Sequence, residues 1–462
     1  MESCLSELSG SNIQFSPTYT YSGKKCQYSP NGEYIMFTTG KQVEVIQSET
    51  QNSLFTLFCS DRVDFAEWSP DSTRILCIIR RNNSIEVFSI IDLSWNIAFK
   101  DDTYTILSAC WTSDSKHILS LGESGMVTCV WSIHSNIVKE LPGVHDLRRC
   151  CSFTSDGKWM ALLSRRSNQQ DQISIFHSST WDCAITFSVN TNQARNIIWC
   201  HDNLHIAICD HPLNNIVSIY SCNGVECYRA EGDRSVLGPA ILRHAHSHPL
   251  LLAAGYEGAW RLIDIQQMKS IETISFLNSE TITSTLCIEK TKFDILEQHR
   301  KTHPRTEESQ PDAFEQSVLL TAGDYFFDTY KGTPLPLTPV NRLVNAKDVG
   351  IHSASFSFND RYIVLKDNSR QSVLWIWDVK RDHLQTQLAF VSPVLSFAWN
   401  PMRNTLAIVT SNQILYFWEL DSIVWVLLPN RIVGINSIEW RSSGDCLLIV
   451  GGDTFQICKI SN

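Results

Sequence analysis

The chain has 462 residues, of which 43% are apolar and 19% charged, and its 38 basic and 48 acidic side chains leave a formal charge of −10. That sign works against nucleic acid or an anionic membrane as a main partner, and so much apolar and aromatic sequence excludes disorder over most of the length. No stretch approaches the roughly eighteen apolar residues of a membrane helix, and residues 1–12 lack the basic start and apolar run of a signal peptide. The expectation is a soluble intracellular protein with no direct membrane contact, whose 16 cysteines are unpaired small hydrophobes rather than a disulfide framework.

A short phrase returns along the chain: an aromatic residue, a polar turn that usually carries Asp or Asn, then an apolar strand. It begins at Tyr28, Trp68, Trp111, Phe153, Trp199, Phe356, Trp399 and Trp440, with a weaker copy at His244. These anchors lie 40, 43, 42, 46 and 45 residues apart, then 112, then 43 and 41, which is the period of a propeller blade. Within a unit, a strand ending at the anchor is followed by a tight turn, a second strand (74–79, 117–121, 405–409), a polar turn, and a third strand (85–90, 127–133, 173–176, 217–220, 373–379, 414–420). β-Branched and aromatic residues make these strands rather than helices. A fourth, outer strand follows, as at 53–58 and 184–187.

The predicted fold is an all-β propeller over residues 1–462, with about 8–10 four-stranded blades in one ring. The long interval between His244 and Phe356 is expected to hold a degenerate blade, with strands at 281–288, 318–322 and 325–330. Residues 289–316 read as a charged, flexible insertion, and the proline-rich 334–339 as extended. The last unit offers three strands, and residues 13–21 form a strand-like segment with no partner of their own, so this segment is expected to close the ring against the C-terminal unit.

Trp377-Asp378 at the end of a third strand and residues 253–262 resemble the WD40 repeat. The usual Gly-His pair is missing, which implies that hydrophobic stacking carries more of this propeller than a side-chain hydrogen-bond network does. In colinear order from about Phe15 to Ile460 the chain is similar to the WD repeat-containing protein eight family, spindle-pole and centrosomal WD40 proteins. The segments that carry this are 26–34, 110–119, 156–162 with Arg165, Arg166 and 173–176, and 373–378, together with the irregular interval and its proline-rich exit. The resemblance implies a non-enzymatic scaffold at the centrosome or spindle pole. It would work with a coiled-coil partner of the synovial-sarcoma-X-breakpoint-interacting type, and indirectly with γ-tubulin or a minus-end kinesin, in anchoring microtubule minus ends, assembling spindles and starting cilia. A translation-initiation propeller scaffold and, from another class, a propeller hydrolase are the competing readings.

Few residues carry chemistry. His244, His246 and His248 alternate, so on a strand they would share a face about 6–7 Å apart, close enough for a metal; they fall on an anchor and turn, where the other copies hold ordinary turn residues. His205 and Cys209 are too far apart along one strand, roughly 13 Å, to share an ion. There is no Gly-x-Ser-x-Gly elbow and no phosphate loop, so no catalytic residue, metal or cofactor is expected. Arg80, Arg81, Arg165, Arg166 and Arg370 sit near turns between second and third strands, which fall on one face of a propeller. They are the candidate partner-binding residues, an arc of guanidiniums suited to carboxylates of an acidic partner and diluted by Glu123, Asp210, Glu257, Asp367 and Asp453 in comparable turns. Trp95, Trp181 and Trp425 lie off the anchors and are read as packing against adjacent blades.

Overall fold

The computed structural model describes residues 13–22, 25–100, 104–123, 125–135, 138–165, 170–233, 235–256, 259–275, 284–291, 294, 296–297, 325–332, 350–420, 422–430 and 432–460. Among these, the strands form nine sheets, each built on consecutive antiparallel strands. In chain order the blades occupy 26–58, 65–100, 106–142, 151–188, 196–231, 239–275, 351–389, 394–427 and 437–460; we number them 1 to 9. No described helix is long and apolar enough to cross a membrane.

Blades stack face to face, so their middle strands are buried on both sides. Ile75, Leu76, Cys77 and Ile79 of Arg74–Ile79 are fully buried, as are Leu447, Leu448 and Ile449 of Cys446–Val450. Such strands read as continuous apolar runs. The outer strands Cys183–Ser188 and Glu226–Glu231 alternate between exposed and partly covered positions, because only one of their faces meets a neighbour.

Eight apolar clusters link the blades in cyclic order. One joins blade 1 to 2 around Trp68 and Val45, and the next joins 2 to 3 around Phe99 and Trp131. Another runs from 3 through 4 to 5, and others join 5 to 6, 6 to 7, 7 to 8 and 8 to 9. The last joins 9 back to 1 through Phe455, Ile457, Tyr28 and Ile35. The ring is closed.

Closure is covalently distant but directly paired. Ile13–Phe15 runs antiparallel to Thr454–Ile460, with Ile13 opposite Ile460 and Phe15 opposite Cys458, and Tyr19–Thr20 continues along the same strand opposite Phe455 and Thr454. The N-terminal segment thus supplies the outer strand that blade 9 lacks. Tyr19 stacks on Phe455 at 5.0 Å, and the Tyr21 hydroxyl donates to the Gly451 carbonyl at 2.6 Å.

Among the described residues, the long interval forms no separate sheet. Ser284–Thr291 pairs in parallel with His383–Ala389, the outer strand of blade 7, and Tyr325–Gly332 pairs antiparallel outside it, giving one six-stranded sheet. The two described strands of the expected degenerate blade therefore extend blade 7, whose open edge gives the first of them a ladder partner. Glu289, read as the start of the insertion, lies inside that first strand. It is buried, accepts from the Tyr416 hydroxyl, and accepts from the Val391 N–H at 2.8 Å. Beyond Thr291, the expected insertion lies outside the described residues except at Asp294, Leu296 and Glu297, as do 318–322 and the proline-rich 334–339.

The anchor turns share one construction. The Ser or Thr after the aromatic residue takes the N–H of the strand that follows: Ser29 from Tyr34 at 3.0 Å, Ser69 from Arg74 at 2.9 Å and Thr154 from Trp159 at 3.1 Å. The same hydroxyls donate to Asn31, Asp71 and Asp156 two residues on. The residue four beyond the anchor adopts positive φ in seven blades: Gly32, Ser72, Ser115, Gly157, Asn203, Asp360 and Gly444. That conformation is why the sequence places Gly, Asn, Asp or Ser there.

Candidate interaction surface

Antiparallel strands put alternate connections on opposite ends of the ring. One face, here the lower, carries the anchor turns. The upper carries the turns between second and third strands together with the links from each blade to the next.

The upper-face turns hold those links by polar side chains. Asp210 accepts from the N–H groups of Asn192, Gln193 and His211 at 3.1, 2.8 and 2.7 Å. Asp171 accepts from Thr191 Oγ1 at 2.9 Å and the Ala194 N–H at 2.7 Å. Asp367 accepts from the Gly350 and Ser369 N–H groups at 3.1 and 2.8 Å, and Asn83 from the Ile106 N–H at 2.7 Å. Asp171, Asp210 and Asp367 are buried. Asp210 and Asp367, read from sequence as rim charges that dilute the arginines, are internal staples; Glu123 and Asp453 are exposed on the rim, and Glu257 lies outside the described residues. A polar network thus replaces the missing Gly-His pair, and the sequence reading missed it. The signal available was an Asp or Asn recurring at or beside the turn between second and third strands.

The candidate arginines fall on this face in separate places. Arg80 and Arg81 lie in the 3-10 turn Arg80–Asn82 of blade 2. Arg80 donates to the Leu107 carbonyl at 3.3 Å, and Arg81, mostly exposed, pairs with Asp61 at 3.2 Å. Arg370 lies in the matching turn Asn368–Arg370 of blade 7. Arg165 ends the second strand of blade 4, donates to the Asn192 carbonyl at 2.9 Å and approaches Asp171 at 3.9 Å. Arg166 lies outside the described residues. Blades 2, 4 and 7 are not neighbours, so the described candidates do not form one continuous arc.

What it gathers around Arg165 is a set that the sequence left unmarked. Two cavities, of about 370 and 460 Å³, share Arg165 and Gln193 and form one groove across blades 3, 4 and 5. The first is lined by His145 and Arg195 from the links on either side of blade 4, and the second by His211 and Leu213 from the turn of blade 5. Burial first, and the Arg195 guanidinium next, hold both His145 and His211 below the usual imidazole range. Both effects favour the neutral imidazole.

On the lower face, the histidine trio has a structural role. The N–H groups of His246, Ser247 and His248 converge on the Asp360 carboxylate of the next blade at 2.7, 2.6 and 3.1 Å, and His248 Nδ1 joins them at 3.1 Å. Among the described residues, no three His, Cys, Asp or Glu side chains are placed to hold a metal ion. Trp181 is buried edge-on to His117 at 5.4 Å, and Trp95 and Trp425 pack against the clusters between blades 2 and 3 and between 7 and 8. No disulfide forms among the described cysteines.

No protein-family model matches the chain. It is 27% identical over 452 residues to the mouse (Mus musculus) WD repeat-containing protein WRAP73, covering 96% of each chain. Among solved structures, the C-terminal WD40 domain of Sif2 superposes with a TM-score of 0.51 at 10% identity, over 98% of this chain and 99% of that one. With a blade-length repeat and nine stacked sheets closed by the N-terminal strand among the described residues, the chain is an all-β, nine-bladed WD40-like propeller.

Proposed function

We propose that this propeller is a protein-interaction scaffold at the centrosome or spindle pole, acting with a coiled-coil partner in microtubule minus-end anchoring and spindle assembly, and in ciliated cells in starting cilia. The single observation that carries the reading is the end-to-end likeness to WD repeat-containing protein WRAP73, which runs through every blade and both sides of the irregular interval. The upper face suits the role, because it offers a groove and scattered guanidiniums on a rigid ring, and rigid rings bind partners through their rims at little cost of reorganisation. Residues Arg80, Arg81, Arg165, Arg166 and Arg370 remain part of this proposal as rim contacts.

The test is affinity purification of the tagged protein from dividing cells with mass spectrometry, together with imaging of the same tag. Recovery of a coiled-coil protein of the synovial-sarcoma-X-breakpoint-interacting type with γ-tubulin, and foci at spindle poles, is the expected result. Recovery of ribosomal subunits with diffuse cytoplasmic signal would replace this reading with a translation scaffold.

A further inference from the structure

We infer that the groove across blades 3 to 5 is a carboxylate-reading peptide site. An extended acidic segment of a partner protein lies along it, an aspartate or glutamate is forked by Arg195, and a neighbouring apolar side chain sits over Leu213. The inference rests on the scaffold reading and adds the chemistry of the partner.

The charge inventory points this way. The charged side chains lining the two cavities are Arg165, Arg195 and Asp171. Asp171 is buried and already engaged by Thr191 Oγ1, the Ala194 N–H and the approach of Arg165. Arg165 is held by the Asn192 carbonyl. Arg195 is exposed, and no acceptor among the described residues takes its guanidinium. An exposed planar fork of donors, in a groove where the one carboxylate among the described lining residues is buried and already engaged, is complementary to an external carboxylate.

The groove is also preformed. Its floor is the link between blades 4 and 5, whose N–H groups at Asn192, Gln193 and Ala194 are all taken by Asp210 and Asp171. Ligand binding therefore need not order that loop, and these three backbone donors are not free to take a phosphate. Leu213 lines the second cavity and is 46% exposed, giving an apolar foothold farther along the groove from Arg195.

The test uses the full chain and a fluorescein-labelled peptide of alternating glutamate and leucine, with the glutamine–leucine peptide as its uncharged counterpart, read by fluorescence anisotropy. Wild type should prefer the glutamate peptide. Arg195→Glu should weaken it by roughly 10- to 100-fold, the range for losing a charge-assisted hydrogen-bond pair, with Arg195→Lys in between because it keeps the charge and loses the fork. Lys158→Glu, the same charge change on the lower face, should leave binding unaltered, and all variants should melt as wild type does. Equal binding of the two peptides by wild type, or equal binding of the glutamate peptide by wild type and Arg195→Glu, would overturn the inference. Because partner capture from cells is read separately, spindle-pole partners recovered alongside either of those outcomes would leave the scaffold reading standing and remove only the groove.

Discussion

At the scale of single residues, the turn phrase acts between blades as well as within them. Where the positive-φ position holds a polar side chain, that side chain reaches back to the preceding blade: Ser72 accepts from the Asn31 N–H at 3.0 Å, Ser115 from Asp71 at 3.0 Å and Asn203 from Ser155 at 2.8 Å. Where it holds glycine, the preceding blade reaches forward into the space left. Asn400 Nδ2 donates to the Gly444 carbonyl at 2.8 Å, and a Cβ on Gly444 would meet Asn400 Oδ1 at 2.5 Å. The alternation of Ser, Asn, Asp and Gly at one repeat position was visible in the sequence; its reciprocity was not, because it depends on which blade neighbours which. Asp360 is the strongest case, since one buried carboxylate satisfies three backbone donors. Asp360→Ala should destabilise the ring by about 1–3 kcal/mol, through the loss of hydrogen bonds to a charged acceptor, and a melting temperature unchanged from wild type would contradict that role.

The same turns predict an acid response. Burial pushes the Asp114 carboxyl up, but hydrogen bonds from His117 Nδ1 at 2.7 Å, from Thr112 and from the Lys116 N–H outweigh it and bring the group from 3.8 down to about 2. A carboxyl lowered on folding contributes stability that is present above its unfolded value and lost as pH falls toward its folded one. Melting followed from pH 5 to pH 2 should therefore show about 1–2 kcal/mol more loss in wild type than in Asp114→Asn. Parallel curves for the two proteins would show that this carboxylate does not hold its turn.

At the scale of elements, two strands do unusual work. The segment from Ile13 to Thr20 was legible as a strand without a partner, and the three-strand final unit as a sheet without an edge; each lack predicted the other. Deleting residues 1–22 should expose Thr454–Ile460 as a free edge, lower the melting temperature and cause concentration-dependent aggregation; a monomeric product melting as wild type does would contradict the closure. The strand Ser284–Thr291 was read as part of a separate blade because composition marks a strand without naming the sheet it joins, and its parallel pairing with blade 7 is a long-range choice. Glu289 fastens it to blade 8 through Tyr416 and to the link after blade 7 through Val391. Glu289→Ala should speed hydrogen exchange in this strand while leaving the middle strands of blades 1 to 4 protected.

At the scale of the molecule, the period gave nine anchors and the structure nine blades, so the architecture was readable almost entirely from spacing. The surface was less so. Arg165 was legible because it closes a strand in a repeat. Arg195, His145 and His211 were not, because they come from links and turns that have no repeat pattern and become neighbours only when three blades stack. The central claim is that this ring works as a scaffold whose upper face meets its partners. Its most direct test is capture from dividing cells by three forms of the full chain: wild type, an upper-face form with Arg81, Arg165, Arg195 and Arg370 changed to Glu, and a lower-face form with Lys116 and Lys158 changed to Glu. The account predicts that all three fold and melt alike, that wild type and the lower-face form recover the same coiled-coil partner and reach the spindle pole, and that the upper-face form loses both. Full recovery of that partner by the upper-face form would contradict it.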